Sequence, residues 1–187
     1  MNARGVSKVI GLTICFALLS VLLATDSFAL TKEEIDVSVK ASLERFDKQV
    51  KGAKEFREVS KGMLVIPNVT KAAFIIGGQY GQGALKEGGK TVDYYSLAAG
   101  SLGYQIGAEK FDLVIIFTTD EALKKFKNSE GWEAGVNAEV TLVDSGVDVP
   151  ASTLVSQNPV VGFVYGQKGL MAGVSVKGAK FTKINPD

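Results

Sequence analysis

The chain has 187 residues with 21 Lys and Arg against 20 Asp and Glu, and this near balance excludes bulk electrostatic attraction to nucleic acid. It contains no histidine, which removes the commonest general base and the usual zinc ligand. Its one cysteine, Cys15, lies in the apolar start of the chain, so a disulfide scaffold and a thiol nucleophile are both excluded from the remainder.

Residues 1–29 read as a secretory signal peptide. Arg4 and Lys8 supply a basic start, Val9 to Ala24 carries no charge, and Ser27-Phe28-Ala29 offers small residues where a signal peptidase cuts. A retained membrane anchor is the alternative, although the apolar run is short for a spanning helix, which needs about 20 residues. Ile14 precedes Cys15 where a lipoprotein signal wants a small residue, so no lipid attachment is expected there. Cleavage after Ala29 would start the mature chain at Leu30 and leave residues 30–187 as a single domain, periplasmic or secreted, with acidic and basic residues balanced.

Thr31-Lys-Glu-Glu34 has the pattern of a helix capping box. Ile35, Val39, Leu43, Phe46, Val50, Ala53 and Phe56 then recur at three- and four-residue intervals and draw one apolar stripe, with Gly52 its weak point. Gly62 and Pro67 are expected to close this helical region, with strands from Ala72 onward. The glycines at 77, 78, 81, 83, 100, 103 and 107 predict strand curvature and close packing, so Gly78→Val should overpack. Phe111 to Thr118 is apolar on both faces and predicts a central strand covered on both sides. Thr118 and Glu121 suggest a second capping box, opening a short helix that buries Ala122, Leu123 and Phe126 and ends at Asn128 to Gly131. Val136, Ala138, Val140 and Leu142 alternate with polar residues as in a half-buried strand. Val143 to Asn158 reads as a long loop, and Val160 to Tyr165 with Leu170 to Val176 as a hairpin about Gly166-Gln-Lys-Gly169. The sum is an α+β fold: a curved, mainly antiparallel β-sheet, open or closed toward a barrel, covered by a long N-terminal helix and a shorter second helix.

Ala84-Leu-Lys-Glu-Gly-Gly-Lys-Thr91 satisfies the permissive phosphate-loop pattern, but a working phosphate loop opens a helix and this one runs into the extended Thr91-Val-Asp-Tyr-Tyr95. A hairpin turn without nucleotide is therefore expected. Asp112, Asp120 and Glu121 are near one another in sequence and are the candidates for a paired-carboxylate hydrolase, the third reading, but Asp120 and Glu121 also suit a helix start for structural reasons. Asp144-Ser-Gly-Val-Asp148 falls short of a calcium shell, so no metal or other cofactor is expected. Lys40, Lys48, Lys51, Lys54, Arg57 and Lys61 are the basic residues best placed beside the apolar stripe to meet an anionic surface, interrupted by Glu44, Asp47, Glu55 and Glu58.

Five stretches together resemble the SYLF family, also called the Ysc84 or DUF500 family. They are Gly62-Met-Leu-Val-Ile-Pro67, Lys71-Ala-Ala-Phe-Ile-Ile-Gly-Gly-Gln-Tyr-Gly-Gln-Gly83, Phe111-Asp-Leu-Val-Ile-Ile116, Gly131-Trp132 and Gly169-Leu-Met-Ala-Gly-Val-Ser175, within a resemblance covering most of residues 38–185. The resemblance implies lipid association: eukaryotic members bind phosphoinositides, with an amphipathic N-terminal helix implicated, and a yeast member binds actin. For an exported bacterial chain the implied ligand shifts to common anionic phospholipids at the envelope. The leading expectation is a non-enzymatic, membrane-associated lipid-binding domain. The alternative is a periplasmic structural or protein-interaction module with an envelope protein partner.

Overall fold

The computed structural model describes residues 30–73, 77–101, 107–144, 150–168 and 175–187. The expected signal peptide, residues 145–148 of the Asp144 to Asp148 loop and most of the second arm of the Gly166 hairpin lie outside these residues. In chain order the elements are α1 (Lys32–Gln49), α2 (Ala53–Val59), β1 (Gly62–Ala73), β2 (Gly77–Glu87), β3 (Lys90–Ser101) and β4 (Gly107–Phe117). They are followed by α3 (Asp120–Lys127), β5 (Trp132–Glu133), β6 (Thr141–Asp144), α4 (Ala151–Gln157), β7 (Val160–Lys168) and β8 (Lys180–Ile184).

The described strands form one sheet in the order β5-β8-β3-β2-β1-β4-β7-β6, curled as a half barrel. Every pairing is antiparallel except β6 with β7, and α4 supplies the crossover that a parallel pair requires. β4 lies inside the sheet between β1 and β7 and is apolar on both faces because both are covered. Phe111, Leu113, Ile115 and Phe117 point into the curl, where Leu123 and Phe126 of α3 pack with Trp132 and Phe181. Val114 and Ile116 point the other way, under Ile35, Val39, Leu43 and Phe46 of α1 and Phe56 of α2. The whole stripe from Ile35 to Phe56 is buried. At about 1.5–3 kcal/mol for each large apolar side chain, that is of order 10 kcal/mol realised against the protein's own sheet.

The local signals act as their chemistry dictates. Thr31 and Glu34 close the capping box of α1 in both directions. Gly52 interrupts the stripe with φ 73° and separates α1 from α2 without breaking the apolar face. Gly88 and Gly89, at φ 54° and 81°, form the β2–β3 turn with Glu87 paired to Lys90, so the phosphate-loop lookalike is a hairpin turn.

Several expectations need correction, the long loop from Val143 to Asn158 among them, since Val143 and Asp144 belong to β6 and Ala151–Gln157 forms α4. β1 begins at Gly62 rather than near Ala72, and Pro67 lies within it. Leu64, Ile66 and Val69 all face the curl, an odd spacing made possible by a bulge at Pro67-Asn68, where Asn68 has φ 50°. Proline is tolerated there because a bulge needs no ladder donor. The cap of α3 is Thr119, whose hydroxyl accepts from the Ala122 amide, while Thr118 donates to the Asn158 carbonyl. Residues 136–140 form no strand; a tight turn about Gly135 (φ 85°) puts Val136 outside, and only Thr141–Asp144 pairs with β7. Gly166 is no hairpin turn either, since β7 runs through it to Lys168, with a bulge between its pairings to Asp112 and Lys110.

Those two bulges flank Asp112, the one charged side chain buried within the apolar middle of β4. Its Oδ2 accepts from Arg45 Nε and Nη2 of α1, both at 2.7 Å, and its Oδ1 accepts from the Asn68 amide at 2.9 Å. Beside it the Gly166 amide donates to Gln49 Oε1 at 3.0 Å, and the Ser42 and Tyr165 hydroxyls meet at 2.8 Å. The polar groups that tie α1 to β1, β4 and β7 are thus collected at one place.

The glycines divide by role. A Cβ at Gly83 would lie 1.9 Å from the Val65 carbonyl oxygen, whereas at Gly78 its nearest neighbour is the Ala99 carbonyl oxygen at 3.7 Å. Close packing belongs to Gly83, and the expected overpacking at Gly78 is not supported. We predict that Gly83→Val destabilises by about 3 kcal/mol while Gly78→Val stays within about 0.5 kcal/mol, as read from urea midpoints.

Arg45→Ala should cost about 3 kcal/mol, the low end for uncovering a buried charge because Arg45 is itself part-exposed. Asp112→Asn, which keeps an acceptor for the Asn68 amide, should cost less in the same denaturation assay.

The Tyr95 hydroxyl is buried with no hydrogen-bond partner, and burial, then the charges of Asp93 and Glu87, push its pKa up to about 12. In the unfolded chain the same group titrates near 10, so between these values only the unfolded state releases its proton. Stability complete below pH of about 10 should therefore fall as pH rises toward about 12. Tyr95→Phe should flatten that loss and gain about 1 kcal/mol at neutral pH, checked by thermal midpoints across the range.

Candidate functional site

The six basic residues singled out in the sequence all lie on or next to α1 and α2, and each is exposed. They do not act as one patch. Arg57 Nη1 donates to both carboxylate oxygens of Asp47, at 2.9 and 2.7 Å, and Lys54 lies 4.0 Å from Glu58 one turn on. Lys51 is engaged as well. Among the described residues, Lys40, Lys48 and Lys61 have no ionic partner. Lys40 and Lys48 project from the solvent side of α1, with Glu44 between them and Val37, 70% exposed, one turn before Lys40. Because the apolar stripe is turned into the sheet, this crest of α1 is what an approaching surface meets.

One flank of α1 faces the β2–β3 turn and α2 across a groove of about 550 Å³. Asp36, Lys40, Glu44 and Asp47 line it from the helix, Arg57 from α2 and Lys86 from the hairpin, with Leu43 at the floor. The spacing from Asp36 to Lys40 to Glu44 is one helical turn each, which puts these side chains on one side. Asp36 accepts from the Thr91 hydroxyl at 2.9 Å and from Tyr94 Oη at 3.0 Å. Desolvation, and then the bond to Asp36, raises the Tyr94 pKa above its usual value, so it remains a donor at neutral pH. Lys86 Nζ donates to Thr91 Oγ1 at 3.3 Å. Sequence reasoning found the helix cations of this groove but missed Asp36 and Lys86. The i, i+4 pattern of Asp36, Lys40 and Glu44 was visible; the return of Lys86 to the helix was not, because a hairpin folded over a docked helix creates it.

The carboxylates considered for hydrolysis are not assembled. Asp112 is held by Arg45 on the α1 side of the sheet, whereas Asp120 and Glu121 are exposed in the first turn of α3, which packs on the opposite side. No group of three or more acidic, histidine or cysteine side chains suited to a metal occurs among the described residues. No described helix is long and apolar enough to cross a membrane.

Comparison with known proteins agrees with the motifs that lie within residues 98–185, those at Phe111, Gly131 and Gly169. Residues 98–185 match the family described as Ysc84, "Las17-binding protein actin regulator". LAS seventeen-binding protein 3 of Saccharomyces cerevisiae (strain ATCC 204508 / S288c) is 32% identical over 127 residues, which are 64% of this chain and 28% of that protein. Protein YSC84 of the same yeast is 32% identical over 127 residues, 64% of this chain and 27% of that protein. SH3 domain-containing YSC84-like protein 1 of Homo sapiens is 29% identical over 125 residues, 64% of this chain and 36% of that protein. The chain therefore spans about a third of the length of these relatives, and the matched stretch includes β4, α3 and β7, the elements that carry the central strand and its cover. Over residues 98–185, and in the relatives found over 64% of its length, the chain is similar to the Ysc84, or SYLF, family.

Proposed function

We propose that this protein is a non-enzymatic binding domain that associates peripherally with anionic phospholipid at the bacterial envelope, with α1 remaining docked. The observation that carries this reading is the state of α1: its apolar stripe is buried, and Lys40 and Lys48 stand on its outer crest without ionic partners. Undocking the helix would forfeit of order 10 kcal/mol of burial, whereas a basic residue near an anionic surface contributes about 1 kcal/mol without any rearrangement. The attraction is then electrostatic, modest and salt-sensitive.

A second reading, a protein-interaction module, is favoured by a separate observation. The turn between β5 and β6 is held by the Glu133 amide on Asn137 Oδ1 at 2.7 Å and the Gly135 amide on the Ala138 carbonyl at 2.8 Å, yet it displays Val136 at 73% exposure. A rigid turn presenting an apolar tip suits a protein pocket, and one of the yeast relatives carries a name that states binding to LAS seventeen.

Vesicle flotation separates the two. The protein should float with vesicles rich in phosphatidylglycerol or cardiolipin and much less with phosphatidylcholine alone. Flotation should weaken between 0.1 and 1 M salt, as the Debye length falls from about 10 Å to about 3 Å. Lys40→Glu with Lys48→Glu should abolish it while shifting stability by no more than about 0.5 kcal/mol. Salt-insensitive flotation would show that the apolar stripe inserts after all, and no flotation with any composition would leave the protein-partner reading.

A further inference from the structure

We propose that the groove between α1 and the β2–β3 turn is a binding site for a zwitterionic phosphate headgroup of the phosphoethanolamine type. Charge accounting within the groove leads to this ligand. Asp36 keeps its negative charge, although each of its oxygens already accepts from a hydroxyl, of Thr91 and of Tyr94, and Asp47 is closed on Arg57 through both oxygens. Three further charged side chains have no ionic partner among the described residues: Lys40, Glu44 and Lys86, the last donating one N–H to the neutral Thr91 hydroxyl at 3.3 Å. Two ammonium groups and one carboxylate therefore face the same open volume.

A simple anion would satisfy the two lysines and face Glu44 as a like charge. A simple cation would satisfy Glu44 and face the lysines. A phosphodiester with an ammonium two carbons away meets all three, its phosphate between Lys40 and Lys86 and its ammonium at Glu44. Lys40 and Glu44 are one helical turn apart, with Cβ atoms about 5–6 Å from each other, a separation that such a short zwitterion bridges between flexible side chains. Leu43 at the floor offers apolar contact to the two-carbon spacer, and the groove's volume of about 550 Å³ falls within the usual range for small-molecule sites.

The same headgroup chemistry comes from a phospholipid or from a soluble glycerophosphodiester. Only the first source rests on the membrane reading above.

The test is a titration of the 15N-labelled protein with glycerophosphoethanolamine, beside inorganic phosphate, ethanolamine and glycerophosphoglycerol. Saturable shifts at the Lys40, Glu44, Lys86 and Gly89 amides are expected with glycerophosphoethanolamine, at an affinity about tenfold above each of the other three, the effect of one added charge-assisted bond. Glu44→Gln should erase the preference over glycerophosphoglycerol. Lys86→Gln should weaken both, with unchanged thermal midpoints showing that the fold is kept. Equal response to all three phosphates, shifts confined to other surfaces, or no saturable shift would each overturn the proposal. Flotation with phosphatidylethanolamine vesicles then tells the sources apart: groove binding with flotation assigns the lipid, and groove binding without it assigns the soluble diester. Flotation on phosphatidylglycerol with a silent groove would overturn this site and leave the membrane reading standing.

Discussion

Asp112 is a carboxylate in the middle of a strand whose other central side chains are apolar, and its side chain is only 3% exposed. Such a charge is tolerable only where donors surround it, since an unpaired buried ion costs several kcal/mol. The fold delivers them from two directions. Arg45 comes from α1, which requires the helix to lie across the sheet, and the Asn68 amide comes from a bulge that turns a backbone donor toward the site. The second bulge, at Gly166, keeps β7 close: a Cβ there would sit 3.0 Å from Asp112 Oδ2. The position of the helix, the two irregular strands and the charge are one arrangement.

With α1 held in this way, what it shows to solvent follows. Its apolar face is spent on the sheet, aided by Phe46 against Phe163 and Tyr165 at ring separations of 5.5 Å. Recognition is left to charged side chains on its crest and flank. Some of those charges are already neutralised, Asp47 by Arg57 and Arg45 by Asp112. The functional question therefore turns on the few that are not, and local pairing reduces a chain of balanced composition to a small set of candidates.

The parts legible in the sequence are those governed by local rules. The capping box, the stripe of α1, the two-sided β4 and the Gly88-Gly89 turn follow from residues within a few positions of one another, and each is present. Reading failed where distant contacts decide. Pro67 looked like a terminator because nothing nearby reveals that β4 needs a bulge beside Asp112. Val136 fitted an alternating pattern, but the turn at Gly135 removes it from the core, while Val140 and Leu142 do pack inward as their alternation implied. Gly78 and Gly83 are equivalent in sequence; the Val65 carbonyl, which distinguishes them, lies on another strand. The groove shows the same division, its helix side visible as spacing and its hairpin side invisible.

The hydroxyl contact between Ser42 and Tyr165 joins residues 123 positions apart. Synthesis runs from the N-terminus, so α1 is made first; Met63, Val65 and Ala84 of β1 and β2 follow soon, yet its partners in β4 and β7 come late and its apolar stripe is only partly covered until they do. Chains are made at about 5–20 residues per second, which leaves that stripe incompletely covered for several seconds, far longer than a helix takes to form. The element that ends as the best-packed helix of the domain thus begins as its most adhesive segment, and the interval before β7 arrives is when the nascent chain is most exposed to aggregation.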